Sequence, residues 1–185
     1  MKKIILSSIL LLAGLAAGYA QEKEADVKPS FWKDTYVQVA DGGALDLTTG
    51  VGNTFELSAG KMFTKCVGAS LSYTNVYIFD DSRSFMDHML GAGFVWSFLG
   101  NVDTDSWKPV FIPEIGLMVS GRDSQSSPAL PYIANSLANY FRIHKNVDLV
   151  LNAKLYTSLD PQNQGKVAFI SMPTACLTLG ARYRF

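Results

Sequence analysis

Val67-Gly68-Ala69-Ser70-Leu71-Ser72-Tyr73-Thr74 alternates, residue by residue, between an apolar side chain and a small or hydroxylated one. Successive side chains of a β-strand point to opposite faces, so Val67, Ala69, Leu71 and Tyr73 share one side and Gly68, Ser70, Ser72 and Thr74 the other. The composition of the second face decides the fold. A soluble sheet would turn Lys and Glu to water there. Gly, Ser and Thr are too small to fill a sandwich core. They suit the inside of a narrow barrel, where about eight strands leave room only for side chains. The apolar face then points outward.

The same period recurs along the chain. Eight segments are expected, at about 35–40, 54–63, 67–79, 88–99, 107–119, 131–143, 147–157 and 167–185. Phe55, Leu57, Ala59 and Phe63 oppose Thr54, Glu56, Ser58 and Gly60. Leu90, Ala92, Phe94, Trp96 and Phe98 oppose Gly91, Gly93, Val95 and Ser97. Phe111, Pro113, Ile115, Leu117 and Val119 oppose Ile112, Glu114, Gly116 and Met118. In the sixth segment Leu137, Phe141 and Ile143 share a face with Asn135 and Asn139. Leu149, Leu151, Ala153 and Leu155 oppose Asp148, Asn152, Lys154 and Tyr156. Leu177, Leu179, Ala181, Tyr183 and Phe185 oppose Cys176, Thr178, Gly180, Arg182 and Arg184. Segments of roughly ten residues match a tilted strand crossing a bilayer, and in lipid such strands must close into a ring with no free edge.

The connections alternate in length. Thr64-Lys65-Cys66 and His144-Lys145-Asn146 are short, and 100–106 is somewhat longer. The stretches 41–53, 80–87, 120–130 and 158–166 are polar and rich in Gly, Ser, Asp and Pro. Short turns on one side and long loops on the other are the outer-membrane pattern, with both termini on the short, periplasmic side. Trp32, Phe63, Tyr73, Trp96, Trp107, Tyr183 and Phe185 are placed for interfacial girdles. A secreted sandwich or lipocalin-like barrel would also alternate, but with its apolar face inside and its polar face in water. The expected fold is therefore an all-β, eight-stranded, antiparallel, up-and-down transmembrane barrel.

The start of the chain is an export signal. Met1-Lys2-Lys3 is a basic opening, Ile4–Ala17 is mostly apolar, and Gly18-Tyr19-Ala20 puts small residues at −3 and −1 of a cut. This gives a signal peptide at 1–20, a short periplasmic segment at 21–33 and a barrel at 34–185. The apolar stretch is too short for a spanning helix. The first cysteine, Cys66, lies far from the cut, so a lipid anchor is not expected. Nor does any later apolar run reach the roughly 18 residues of a membrane helix.

Composition narrows the function. The 16 basic and 16 acidic residues balance, which argues against a nucleic-acid partner. Two cysteines make no disulfide framework.

The chain resembles the transmembrane domain of outer-membrane protein A and the smaller OmpX-type barrels. The resemblance rests on Asp34-Thr35-Tyr36-Val37-Gln38-Val39, Gly60-Lys61-Met62-Phe63-Thr64, Val67–Tyr73 and the ending Leu179-Gly180-Ala181-Arg182-Tyr183-Arg184-Phe185. That ending is similar to the signal read by the barrel assembly machinery, with Leu179, Ala181, Tyr183 and Phe185 at alternate positions. The resemblance implies residence in the outer membrane of a Gram-negative bacterium, with lipid and lipopolysaccharide as surroundings. The peptidoglycan-binding domain of longer relatives is not expected here.

Among chemical candidates, Glu56, Glu114 and Lys154 fall on the small-residue face near mid-strand. Isolated charges in a narrow interior are costly, so these three are expected to pair. They form either a static lumen network or a gate over a narrow water path. Arg182 and Arg184 share that parity and are expected to meet water or the Asp103/Asp105 turn. His88, with Ser82, Ser84 and Asp87 nearby in sequence, is the candidate for lipid-modifying catalysis. His144 is expected in a solvated turn. Cys66 and Cys176 are expected at different heights, unbridged. Asp80-Asp81 and Asp103-Thr104-Asp105 lack the pattern of a calcium loop, and Gly91-Ala92-Gly93 relieves crowding inside a strand rather than binding phosphate. No cofactor or metal is expected. The function expected is a structural, envelope-integrity and surface-interaction role without catalysis, the loops meeting a surface ligand. The alternatives are a porin-like diffusion pore and, less favoured, a lipid-modifying enzyme.

Overall fold

The computed structural model describes residues 34–46, 50–79, 85–98, 106–122, 125–126, 128–159 and 174–185. Contacts divide the chain into 1–33 and 34–185. The first unit, with the expected signal peptide and Trp32, lies outside the described residues, as do the 47–49, 80–84, 99–105 and 160–173 segments.

The second unit is built of strands β1 (Thr35–Asp46), β2 (Gly50–Met62), β3 (Val67–Phe79), β4 (Phe85–Ser97), β5 (Trp107–Arg122), β6 (Gln125–Ser126), β7 (Leu130–His144), β8 (Val147–Ser158) and β9 (Thr174–Arg184). Strand β6 is a two-residue ribbon folded back on the tip of β5. The other eight run antiparallel, each beside its chain neighbours. Strand β1 pairs with β9 and β4 with β5, so the ring closes and no long strand has a free edge. Phe185 N–H donates to the Thr35 carbonyl at 3.0 Å, which ties the chain's end to its first strand. No helix among the described residues is long and apolar enough to cross a membrane, which has no bearing on crossing by strands.

Alternation holds through the body of every long strand. Even-numbered residues of β1, β2, β3, β5, β7, β8 and β9 face the lumen, and odd-numbered residues do so in β4, except at two strand ends: a register shift between Arg142 and His144 leaves His144 exposed, and Thr157 is buried beside Tyr156. The opposite face is a belt of exposed apolar groups. Leu71 and Leu90 are each 65% exposed and Ile115 68%, which settles that the apolar side looks out. Trp96, Phe98, Trp107 and Phe63 gather at the turn end of this belt.

Several boundaries differ from expectation. Strand β1 runs on to Asp46 and β2 begins at Gly50, through stretches that by composition look like a loop. Gly50 allows the positive φ of 134° where β2 begins. Strand β5 extends to Arg122 and β4 begins at Phe85. Tyr73 lies in the middle of β3, not at a girdle.

The lumen is also less polar than expected. Two apolar clusters fill it. Near the loop end are Val76, Ile78, Phe85, Met89, Met118 and Tyr156, and near the turn end Val95, Val110, Ala138, Tyr140 and Val150. The small residues that dominate Val67–Thr74 give way to Val76 and Ile78 on the same face. A ring of eight strands has space for side chains of that size where the opposing positions are small.

One ladder contains a gap. The β4–β5 register holds from Gly93↔Glu114 to Trp96↔Phe111, yet no pair forms at Phe94 or Val95. Pro113 lies opposite Phe94 and has no N–H to give.

Candidate functional site

Strand β2 carries Glu56, β5 carries Glu114 and β8 carries Lys154 into the lumen from three sides of the ring. The structure brings them together. Lys154 Nζ lies 3.1 Å from Glu56 Oε2 and 3.4 Å from Glu114 Oε1, and donates to Thr74 Oγ1 at 3.0 Å. Glu56 also accepts from Gln38 Nε2 at 3.3 Å and Asn152 Nδ2 at 3.3 Å. Glu114 accepts from Ser72 Oγ at 2.6 Å and from the Tyr132 hydroxyl. These bonds join β1, β2, β3, β5, β7 and β8 across the interior.

Gly91 makes the layer possible. A Cβ there would fall 2.1 Å from the Tyr132 hydroxyl and 2.5 Å from Glu114 Oε1. The side chains of Lys154, Glu56 and Glu114 are only 3–6% exposed. Among the described residues, apolar clusters lie on both sides of the layer and bury it. Such an arrangement can hold distant strands in one register.

A second ionic group lies toward the turn end. Arg182 Nε donates to Asp148 Oδ2 at 2.8 Å, and Arg184 Nε approaches the same oxygen at 3.1 Å. The Arg182 guanidinium sits 3.4 Å over the Tyr140 ring and 5.3 Å from that of Tyr36. This corrects the expectation that both arginines meet water or the 103–105 turn. Arg182 is buried and both pair with Asp148, while Asp103 and Asp105 lie outside the described residues. The shared parity of Asp148 and Arg182 was the visible signal. The register that sets Asp148 opposite Arg182 was not.

At the loop end, Asp87 accepts from the Tyr156 hydroxyl at 2.9 Å and from Ser120 Oγ. This separates Asp87 from His88, whose ring is on the outer face. The grouping of His88 with Asp87 is thereby overturned, and Ser82 and Ser84 lie outside the described residues. His88 meets Tyr73 and Asn75 instead. His144 ends β7 and is exposed. Cys66 and Cys176 are unbridged. Leu179 is exposed on the outer face, with Ala181, Tyr183 and Phe185 on the same parity, and the Tyr183 and Phe185 rings meet edge to face at 5.1 Å. Among the described residues no three His, Cys, Asp or Glu side chains converge to hold a metal. The Asp80-Asp81 pair is outside them.

An all-antiparallel ring of eight long strands, with an apolar exterior and an interior packed with polar and apolar side chains, defines a small transmembrane barrel. Comparison with solved structures agrees. The fold matches Neisserial surface protein A with a TM-score of 0.65 at 19% identity, over 83% of this chain and 98% of that one. It matches the N-terminal β-barrel domain of Pseudomonas aeruginosa OprF at 0.54 and 13%, over 83% and 98%. The outer-membrane enzyme PagL gives 0.50 and 14%, over 81% and 99%. By sequence, no family description and no curated protein matches the chain. The fold is that of the eight-stranded outer-membrane barrels of the outer-membrane protein A and OmpX type.

Proposed function

We propose that this chain is a small integral outer-membrane barrel of a Gram-negative bacterium that contributes to envelope integrity and presents its loop end as an interaction surface, without catalysing a reaction. The observation that carries this reading is the sealed interior inside an apolar exterior. The belt of Leu71, Leu90 and Ile115 demands hydrocarbon around it. The buried Glu56–Lys154–Glu114 layer leaves the lumen nothing to transport. On this reading the short turns and the chain's end face the periplasm, and Leu179, Ala181, Tyr183 and Phe185 are what the assembly machinery recognises. Lipid and lipopolysaccharide surround the belt, and the loops meet an external ligand.

Deletion of the gene in its host tests this. Increased sensitivity to detergent or reduced attachment to surfaces is expected, restored by the intact chain. A deletion strain unchanged in both respects would remove it.

One observation favours a second reading, a narrow diffusion pore. Lys154 is shared between two carboxylates rather than committed to one. Movement of Lys154 toward either would be the first step of opening. This reading requires the two apolar clusters to part as well.

A further inference from the structure

On the outer face, His88 of β4 sits beside Tyr73 and Asn75 of β3. The Tyr73 hydroxyl is 2.8 Å and Asn75 Nδ2 is 3.2 Å from His88 Nδ1. Asn75 Nδ2 also donates to the Asp87 backbone carbonyl at 3.4 Å, which turns the N–H edge of the amide toward this side. With the amide so turned, the tautomer that suits both neighbours has Nδ1 as acceptor and the ring proton on Nε2. The Tyr73 ring meets the imidazole through its hydroxyl, the two centroids 6.2 Å apart and the planes 25° from parallel. His88 Nε2 has no partner among the described residues. Its neighbours on the outer face of β4 and β5 are Met86, Leu90, Leu117 and Val119.

The height of this cluster matters. His88 lies eight residues along β4 from Trp96 of the turn-end girdle. At about 3.3 Å per residue and a tilt of about 40°, that is about 20 Å along the membrane normal, against an apolar band of about 25 Å. The His88 ring thus stands in the upper part of the apolar band, with the outward Met86 and Phe79 still nearer the loop end. A polar N–H facing lipid at that depth is unfavourable unless the lipid supplies an acceptor. Among the described residues no Lys or Arg lies on the neighbouring outward positions of β3, β4 or β5, where a phosphate would call for one.

We propose that the His88 Nε2–H, held by Tyr73 and Asn75, is a binding site for the ester or amide carbonyl of an acyl chain in the outer leaflet. The proposal rests on the outer-membrane reading and its orientation. It adds a specific lipid contact to a belt otherwise built for non-specific ones.

The test is to refold the whole chain into a diester phosphatidylcholine bilayer and into the diether analogue, which lacks only the carbonyls. Nitrogen-15 histidine spectra report His88, assigned by His88→Phe, with His144 as internal reference. Gel mobility of unboiled samples shows whether the barrel has formed. The expected result is a downfield-shifted, slowly exchanging His88 Nε2–H in the diester bilayer only, lost in Asn75→Leu. Equal spectra in the two bilayers from folded protein would overturn the site while leaving the barrel intact. A shift produced in the diether bilayer by added glycerophosphocholine would also overturn it, by assigning the contact to the headgroup. A chain that forms no heat-sensitive barrel in either bilayer would overturn the membrane reading itself.

Discussion

Without the ammonium of Lys154, Glu56 and Glu114 would face one another in a space closed to water. Lys154→Met is expected to destabilise the barrel by about 3–5 kcal/mol, because an uncompensated buried charge is left behind. Adding Glu56→Gln and Glu114→Gln to the same chain should recover most of that loss, since removing all the charges also removes the desolvation penalty. Urea titration in phosphatidylcholine vesicles, read by tryptophan fluorescence, measures both. A Lys154→Met protein within about 1 kcal/mol of the parent would show that the layer is not a desolvated network. Arg182→Lys keeps the charge but loses the planar fork on Asp148 and the stacking on Tyr140. It should cost about 2 kcal/mol, and an unchanged urea midpoint would argue that Arg182 is satisfied by charge alone.

Individual strands carry a second set of consequences. Ile115 stands outward in β5. Ile115→Arg is expected to cost about 2–4 kcal/mol in the same titration if that face lies in hydrocarbon near the midplane. A loss of under about 0.5 kcal/mol, the scale of an ordinary surface substitution, would mean that the face meets water. Pro113→Val restores an N–H at the gap opposite Phe94. It should raise stability by about 0.5–1.5 kcal/mol, one net hydrogen bond, and a lower urea midpoint would mean that the gap has another cause. The strands themselves were legible in sequence because period 2 survives every substitution of one apolar residue for another. Their ends were not. Asp41–Asp46 and Gly50–Asn53 are polar and Gly-rich, the composition of a loop, yet they extend β1 and β2 because each pairs with a neighbouring strand as well as with the other. Local composition does not record that pairing. The shared face of Glu56, Glu114 and Lys154 was likewise legible from parity. The Asp148–Arg182 pair needed the β8–β9 register, which depends on a connection whose geometry sequence does not give. His88 was grouped with Asp87 by adjacency, although adjacent residues of a strand point apart.

At the scale of the whole molecule, outside and inside answer different demands. The exterior is apolar because the ring must sit in lipid, and the ring is closed because lipid leaves no backbone group unpaired. The interior holds ionic layers at Glu56–Lys154–Glu114 and Asp148–Arg182, separated by the cluster around Val110, with Asp87 set within the cluster around Ile78 at the loop end. Each ionic layer ties strands across the lumen, and the apolar layers keep water from exchanging with it. A sealed, lipid-embedded plug is the central claim, and single-channel recording of the refolded chain in a planar bilayer tests it most directly. A gel of boiled and unboiled samples confirms that the protein entering the bilayer is folded. Insertion without discrete current steps is expected. Steps that change in Glu114→Ala or Lys154→Ala would contradict it and make the same three residues the gate of a pore.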